Sequence, residues 1–474
     1  MLIHDRELQR HMRFTNVWWQ TGAVEERFAK LPRRHFFAEF FERVRRTSPR
    51  RTVVLLGPRR VGKTVMTHHA IAALLDAGVA PTHLLHLAVD TPTFFGRRLE
   101  QLVRLGMETG GYDPESRTPY YVFLDEIQYL PEWERELKTL TDAYGAVQFV
   151  ATGSAAAALR AQSVESGAGR FSTYALPPLT FAEYIDLRDE TRGLFAWRGE
   201  GFAEAQDLYR QRAEWVDYLQ YGGYPEVLFD EHIRRDPGQY IKRDIVERVL
   251  TRDLPQLYGV DDIRELNQFF TVLAYLTAQT VSPKKLSEQS DGINKRTVGK
   301  YLEYLEAAFL IRVLDKIDLS AKRLQRRASF KTYLTVPSLR TALFAPLHDG
   351  EEGFGHINET GIVAQWAPAD DADISYADWA NSEVDLVGRN PLTQKASWAT
   401  EIKWSNAYFD SPRKLGALAT FCQSAGLDRG VCTTIDRRGR RTVRDIEVDY
   451  VTNAEYAYTI AEQLRTGRAL EGMK

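Results

Sequence analysis

The segment that most constrains this chain is Gly57-Pro58-Arg59-Arg60-Val61-Gly62-Lys63-Thr64, which fits the pattern G-x-x-x-x-G-K-[ST]. Val53 to Leu56 before it predicts a buried strand, and Val65 to Leu75 after it has helical spacing and ends before Gly78. A glycine loop between a strand and a helix lets backbone N–H groups surround an anion at the positive end of the helix. The segment therefore predicts a loop that binds a triphosphate.

Two side chains of this loop have predicted roles. Lys63 is expected to contact the β- and γ-phosphates, and the Thr64 hydroxyl is expected to take one position on Mg²⁺. The alternative is a glycine turn that carries Lys-Thr by chance. The strand and helix on either side favour nucleotide binding.

A second motif, Tyr120-Tyr121-Val122-Phe123-Leu124-Asp125-Glu126, is an apolar strand that ends in two acids. Asp125 is expected to hold Mg²⁺ through its water shell, and Glu126 is expected to orient and polarise the attacking water. An Asp-Glu pair is also a common strand end without any catalytic role. Its combination with the glycine loop favours catalysis, with Lys63 and Glu126 as catalytic residues.

Further strands are predicted around these motifs. His83 to Val89 predicts a strand between them, followed by a helix from about Phe94 to Met107. Val147 to Ala151 predicts a fourth strand, which leads into Thr152-Gly153-Ser154. Thr152 or Ser154 is therefore a candidate hydroxyl sensor of the γ-phosphate, although Ser154 is equally suited to cap a helix.

Together these segments resemble the AAA-type P-loop ATPases found in many bacteria and archaea as uncharacterised ATP-binding proteins. The resemblance implies a parallel sheet, with ATP and Mg²⁺ as ligands. It extends to a helical lid or connector that contains Gly222-Gly223-Tyr224-Pro225. The stretches that carry it in the ATPase part are Gly57 to Thr64, Phe123-Leu124-Asp125-Glu126-Ile127-Gln128, Ala151-Thr152-Gly153-Ser154, Gly169-Arg170-Phe171 and Leu176-Pro177-Pro178-Leu179-Thr180-Phe181-Ala182-Glu183-Tyr184.

Arg170, from the Gly-Arg-Phe stretch, is the third candidate catalytic residue. Its guanidinium could sense the γ-phosphate of the same chain, or act in trans as an arginine finger. It could equally hold a carboxylate within the fold. The sequence leaves these three alternatives open.

A length of 474 residues predicts several domains. The formal net charge of −2 gives no overall signature of polyanion binding, so DNA contact must come from local patches. Two cysteines without a metal-ligand pattern, no secretory signal and no long apolar run predict a cytoplasmic protein without a membrane span. The predicted divisions are an N-terminal helical segment over 1–50, an ATPase domain over 51–180, a helical lid over 181–255, a winged helix over 256–335 and a nuclease-like domain over 336–474.

The predicted winged helix has a basic wing. Lys295 and Arg296 open its longer helix, where a reading helix meets DNA. Seven basic residues against Asp315 and Asp318 would attract a phosphate backbone, although winged helices also serve as packing modules. These seven are Arg312, Lys316, Lys322, Arg323, Arg326, Arg327 and Lys331.

The last part of the chain holds a second set of acids. Glu383-Val384-Asp385-Leu386-Val387 and Glu401-Ile402-Lys403 both alternate as strands do, and Asp385 lies sixteen residues before Glu401. Asp385 and Glu401 would hold Mg²⁺, and Lys403 would position or stabilise the attacking hydroxide. Glu359 is the matching upstream acid on a helix.

This part resembles the domain of unknown function with a restriction-endonuclease-like fold that accompanies these ATPases. Between Ala345 and Asp385, ten acidic residues and no Lys or Arg disfavour a phosphate backbone, while six arginines between Arg429 and Arg444 would supply a positive wall. The overall prediction is a multidomain α/β protein whose nucleotide state controls DNA binding or cleavage. The alternative is an ATP-dependent switch that uses a silent nuclease-like domain to bind a protein partner or a second copy.

Overall fold

A computed structural model describes residues 5–46, 50–113, 116, 118–153, 169–197, 201–320, 328–367, 373–380 and 382–466. The chain divides into two compact units, residues 1–176 and residues 177–474. Within the described ranges, no helix is both long enough and apolar enough to cross a membrane.

The first unit is built on a five-stranded sheet in the order β2-β3-β4-β1-β5, and all paired strands are parallel. Its strands are nearly continuous apolar runs, as a sheet covered on both faces requires. β4 therefore lies between the strands that precede the two motifs, while β2 lies at the edge. The strands are β1 (Thr52–Leu56), β2 (Leu84–Ala88), β3 (Tyr120–Asp125), β4 (Val147–Gly153) and β5 (Phe171–Ala175).

Helices cover this sheet. In the predicted N-terminal helical segment, α4 buries Phe37, Phe40 and Val44 in one core with Val53 of β1 and Ile71 of α5. The helix predicted from about 94 begins later, at Leu99, because Pro92–Phe94 forms a separate 3₁₀ turn. The helices are α1 (Asp5–Thr15), α2 (Trp18–Thr21), α3 (Glu26–Ala29), α4 (Phe37–Arg45), α5 (Lys63–Asp76), α6 (Leu99–Gly110) and α7 (Trp133–Ala143).

The second unit begins with helices. Two π-helical stretches, Ile241–Glu247 and Val249–Asp253, continue from α12 into α13. Its helices are α8 (Phe181–Asp186), α9 (Leu208–Tyr221), α10 (Pro225–Phe229), α11 (Glu231–Arg235), α12 (Pro237–Tyr240), α13 (Leu254–Tyr258), α14 (Ile263–Tyr275), α15 (Pro283–Gln289), α16 (Lys295–Ala307), α17 (Ser338–Leu343), α18 (Phe354–Ala364), α19 (Ala407–Asp410), α20 (Gly416–Ala425) and α21 (Asn453–Thr466).

A nine-stranded mixed sheet runs through the second unit in the order β15-β16-β14-β13-β12-β11-β9-β10-β8. β9 and β11 pair in parallel, so the strands of the predicted winged helix continue into those of the predicted nuclease-like part. A short hairpin, β6 (Phe195–Ala196) and β7 (Glu204–Ala205), stands apart. The sheet strands are β8 (Thr280–Val281), β9 (Ile311–Ile317), β10 (Phe330–Leu334), β11 (Asp373–Trp379), β12 (Ser382–Arg389), β13 (Ala396–Glu401), β14 (Arg429–Thr434), β15 (Gly439–Val443) and β16 (Ile446–Thr452).

Close packing fixes the strands and helix that carry the acids. A Cβ on Gly388 of β12 would lie 2.1 Å from the Trp398 indole of β13, and one on Gly361 of α18 would lie 2.2 Å from the Leu219 side chain. Only glycine fits at either position without a shift of its neighbours. The first contact sets the close approach of β12 to β13, which carry Asp385 and Glu401. The second holds α18, which carries Glu359, against α9.

Candidate nucleotide site and acidic cluster

The loop after β1 has the backbone that its glycines predict. Gly62 has φ of 95° and Arg60 has φ of 66°, both in the left-handed region, just before α5 begins at Lys63. A Cβ on Gly57 would lie 2.4 Å from the backbone oxygen of Leu176, so the loop starts in a space too narrow for another residue. These are backbone conformations of a tight glycine turn before a helix N-terminus, a combination that can bind an anion.

Lys63 lies inside this loop. Its Nζ donates hydrogen bonds to the carbonyl oxygens of Gly57 at 3.0 Å and Pro58 at 2.9 Å. Only 6% of the residue is exposed. The ammonium is therefore held against the backbone that would surround a triphosphate.

Two hydroxyls meet the Asp125 carboxylate at the end of β3. Thr64 Oγ1 donates to Asp125 Oδ2 at 2.8 Å, and Thr152 Oγ1 donates to Asp125 Oδ1. The backbone N–H of Glu126 donates to Thr152 Oγ1 at 3.0 Å. A hydroxyl and a carboxylate, both hard oxygen donors, thus stand together where the sequence predicts Mg²⁺.

Glu126 sits in a strained backbone conformation. Its φ is 57° and its ψ is 48°, a left-handed conformation that costs a non-glycine residue energy. Its carboxylate accepts a hydrogen bond from the Gln128 side chain, at the start of the 3₁₀ turn Ile127–Tyr129. The turn places the Glu126 carboxylate directly after Asp125 while leaving Glu126 partly exposed.

The position of β4 explains why Thr152 reaches this site. β4 pairs with both β1 and β3, so its end lies between the glycine loop and Asp125. Of the two predicted sensor hydroxyls, Thr152 contacts the acid, and Ser154 lies outside the described residues.

Arg170, for which the sequence leaves three alternatives open, forms an ion pair in the structure. Its Nε donates to both oxygens of Asp142, at 2.9 and 3.1 Å. Its backbone oxygen accepts from Thr52 N at the start of β1, whereas the glycine loop follows the end of that strand. About four strand residues, roughly 13 Å, separate the two positions. The structure thus contains the ion pair of the third alternative, and the two phosphate-sensing roles stay predictions.

Other residues that support the loop escaped sequence reasoning. Arg34 Nη1 donates to the Val61 carbonyl at 2.6 Å, and His68 Nδ1 lies 2.8 Å from the Thr64 carbonyl. Burial, with the neighbouring His86, lowers the pKa of His68 to about 3, and burial lowers the pKa of His86 to about 4. Both rings are therefore neutral at pH 7. An arginine in the segment before β1 and a histidine on an apolar helix face are common in single sequences, so neither residue type indicates a supporting role by itself.

The second unit brings the four predicted nuclease residues together. Lys403 Nζ lies 2.8 Å from Asp385 Oδ2 and 2.8 Å from Glu401 Oε1. Glu359, on α18, joins them through a lysine of β10, because Lys331 Nζ lies 2.9 Å from Glu359 Oε1 and 3.6 Å from Asp385 Oδ1. We call Glu359, Asp385, Glu401, Lys403, Lys331 and Glu383 the acidic cluster.

Lys331 is the cluster residue that sequence reasoning placed elsewhere. The sequence predicts that Lys331 belongs to the exposed basic wing, but only 2% of the residue is exposed. It also lies 2.5 Å from Glu383 Oε1, and the Tyr333 hydroxyl donates to Glu359 Oε1 at 2.6 Å. A lysine inside the apolar run Phe330–Leu334 was the signal that could have identified it.

Burial and charge set the titration of this cluster. Burial raises the pKa of Glu401 to about 8, helped by the negative charge of Asp385. Burial likewise raises the pKa of Glu359 to about 7. Burial opposes ionisation of Asp385 as well, but Lys403 and Lys331 hold its pKa below the usual value. Without a metal, the cluster thus favours protons on two of its acids near neutral pH.

The predicted basic surfaces are smaller than the sequence indicates. Besides the burial of Lys331, Lys316 pairs with Asp378 at 3.0 Å, and residues 321–327 lie outside the described ranges. In the predicted positive wall, acids on β16 and α21 neutralise several arginines. The ion pairs are Arg429–Glu447, Arg440–Asp449 and Arg438–Glu455.

Comparison with known proteins supports the first unit's fold. Residues 49–185 match a family model described as an AAA domain, and residues 212–349 match one described as a domain of unknown function. With the parallel sheet and the glycine loop, the first match identifies an AAA-type P-loop domain. The loop, the β3 acids and Thr152 all fall inside it.

The chain is similar to curated proteins that are described as uncharacterised. An uncharacterised protein of Haemophilus influenzae is 26% identical over 278 residues, which cover 57% of this chain and 63% of the relative. One from Methanocaldococcus jannaschii is 24% identical over 285 residues, 58% of each chain. The chain thus spans about three fifths of the length of these relatives. The Saccharomyces cerevisiae Hsp104–ADP complex aligns with a TM-score of 0.30 and 16% identity, over 60% of this chain and 39% of that one, too remote to carry an argument.

Proposed function

We propose that this chain binds ATP with Mg²⁺ at residues 57–64 and hydrolyses it, and that its nucleotide state controls DNA binding or metal-dependent processing by its C-terminal part. The observation that carries the ATPase proposal is the hydrogen-bonded chain from Thr64 through Asp125 and Thr152 to the Glu126 backbone. It joins the loop, the metal-binding acid, the sensor and the catalytic acid in one network.

Each residue of this network has one task. The loop N–H groups and Lys63 bind the phosphates, and Thr64 with Asp125 would hold Mg²⁺, which supplies charge neutralisation when bound. Glu126 accepts a hydrogen bond from the attacking water and orients it, while Thr152 fixes the Glu126 backbone. The domain divisions predicted above remain part of this proposal.

The acidic cluster supports a second proposal, a metal-dependent nuclease site. Asp385 and Glu401 would hold Mg²⁺, which would supply a Lewis acid for phosphodiester hydrolysis. Glu401 Oε2 is buried and has no hydrogen-bond partner among the described residues, as expected of an oxygen that binds a metal. Lys403 would position the attacking hydroxide, and Asp385 is further oriented by the Ile402 N–H at 2.8 Å.

Residues 256–335 support the DNA part of the proposal. The order α14, β8, α15, α16, β9, β10 with antiparallel pairing of β10 to both β8 and β9 is that expected of a winged helix. Asn294 caps α16 through Arg296 N, so Lys295 and Arg296 stand exposed at the end of the helix that would face DNA. These two residues, with the helix N-terminus, form the proposed phosphate contact.

The test is degradation of short single- and double-stranded DNA or RNA by the purified chain, with Mg²⁺ or Mn²⁺ and with ATP, ADP or a non-hydrolysable analogue. We expect cleavage that depends on the nucleotide and is lost in Asp385→Ala and Lys403→Ala. The matched control is Asp378→Ala, an acid on the neighbouring β11 that pairs with Lys316 outside the cluster.

The alternative function is an ATP-dependent switch whose nuclease-like part only binds a partner protein or a second copy. The observation in its favour is that both lysines of the cluster already neutralise the acids that a metal would need. Equal inertness of the wild type and both cluster variants on every substrate would favour the switch. Retained ATP turnover in the same samples would then leave the ATPase proposal standing.

A further inference from the structure

Lys331 is a cation bound by three carboxylates. Its Nζ lies 2.9 Å from Glu359 Oε1, 2.5 Å from Glu383 Oε1 and 3.6 Å from Asp385 Oδ1. Its side chain is only 3% exposed. Oxygen atoms from a helix and a strand thus surround one positive charge in the way that they would surround a divalent cation.

The second lysine of the cluster has a different environment. Lys403 Nζ contacts Asp385 and Glu401, and its side chain is 23% exposed. Glu401 Oε2, beside it, is buried without a hydrogen-bond partner among the described residues. Both sides of Asp385 thus carry an ammonium group. The Lys403 side differs because its lysine is more exposed and because Glu401 Oε2 is a buried oxygen left over for a metal.

Charge balance points the same way. Glu359, Glu383, Asp385 and Glu401 oppose two ammonium groups, so ionised acids leave a formal excess of two negative charges. One divalent cation neutralises that excess. Two divalent cations would leave a buried cluster with a net positive charge, which is costly.

We infer that Lys331 occupies the position that a second metal ion takes in two-metal sites, so that this cluster binds a single divalent cation between Asp385 and Glu401. The inference rests on the proposed metal site. Lys331 acts as a positioning residue, since it holds Glu359 and Asp385 Oδ1. Asp385 Oδ2, which accepts from the Ile402 N–H and contacts Lys403, is the oxygen that would bind the metal together with Glu401.

The experiment counts Mn²⁺ ions bound by the chain without nucleotide, from the electron paramagnetic resonance of free Mn²⁺. Asp385→Asn, which lacks the carboxylate common to both positions, defines the ions that depend on the cluster. We expect one such ion in the wild type, two in Lys331→Met and one in Lys331→Arg, which keeps the charge.

One cluster-dependent ion in folded Lys331→Met, or two in the wild type, would overturn the inference. If Lys331→Met does not fold, because three acids lose their partner, Lys331→Arg still decides, and two ions there would overturn it. No Asp385-dependent ion in any variant would instead overturn the metal site of the proposed function. Failure of the inference and failure of the proposed metal site therefore give different numbers of bound Mn²⁺ ions.

Discussion

The Thr64 hydroxyl and the Asp125 carboxylate, 61 positions apart in the chain, are joined by a hydrogen bond of 2.8 Å. Thr64 lies in the first turn of α5, after the glycine loop, and Asp125 ends β3. Because parallel strands place their carboxyl ends at one edge, two motifs that are distant in sequence form one site.

The Glu126 carboxylate gives the first prediction. Glu126→Gln keeps the side-chain shape but cannot accept a proton, so ATP turnover should fall about 10²–10⁴-fold. ATP affinity should change little, since Glu126 does not bind the phosphates in this account. Phosphate release measures ATP turnover, and binding of a fluorescent nucleotide measures affinity. A parallel loss of turnover and affinity would contradict the catalytic role of Glu126.

Thr152 gives a prediction with an internal control. Its hydroxyl serves Asp125 and the Glu126 N–H at once. Thr152→Ala leaves both polar groups without that partner, at a cost of about 1–3 kcal/mol, and should slow ATP turnover about tenfold or more. Thr152→Ser keeps the hydroxyl and should retain most of the rate. Equal rates in the two variants would exclude a role for the hydroxyl.

These two residues show what sequence could and could not provide. The glycine loop, β3 and its acids could be predicted from the sequence. An apolar strand followed by a glycine-rich loop or by two acids is a pattern with few alternative interpretations. Which predicted strand lies next to β1 was not, since strand order depends on packing across the whole sheet. β2 follows β1 in the chain but lies at the edge, and β4 brings Thr152 to the site.

Arg170 shows the opposite case. Its short motif resembled a phosphate-sensing one, yet its position at the start of β5 gives it Asp142 as a partner. Lys331 is a related case, because a lysine in a sequence is expected to be exposed to solvent. The three acids that surround it come from α18 and β12, and only the fold brings them together.

Because Arg170 pairs with Asp142, Arg170→Ala should leave ATP turnover within about twofold of the wild type. The Arg170–Asp142 pair is largely exposed, so its loss should cost at most about 1 kcal/mol of stability. Turnover is compared over a range of protein concentrations, so that a role in trans would also be detected. A loss of ATP turnover of 100-fold or more in Arg170→Ala would show that Arg170 is a catalytic residue.

His86 predicts how stability depends on pH. Burial lowers its pKa from 6.5 to about 4, so the unfolded chain takes up this proton at a higher pH than the folded chain does. Stability from this group is therefore present above pH 6.5 and is lost as pH falls toward 4. His86→Leu, which also removes a buried nitrogen that lacks a hydrogen-bond partner among the described residues, abolishes that loss.

The measurement is the free energy of unfolding in denaturant at pH 7 and pH 5. The advantage of His86→Leu over the wild type should grow by about 2 kcal/mol between the two values, at about 1.4 kcal/mol per pH unit below 6.5. His86→Gln, which does not titrate but stays polar, is the control for packing. A difference that stays constant with pH would show that His86 is not the titrating group.

The most direct test of the central claim is phosphate release from ATP by the purified chain in the presence of Mg²⁺, compared with Lys63→Ala. The Lys63 ammonium lies inside the loop, held by the Gly57 and Pro58 carbonyls, and is the group proposed to bind the β- and γ-phosphates. We expect saturable release by the wild type and a loss of about 100-fold or more in folded Lys63→Ala. Equal release by both proteins would contradict it.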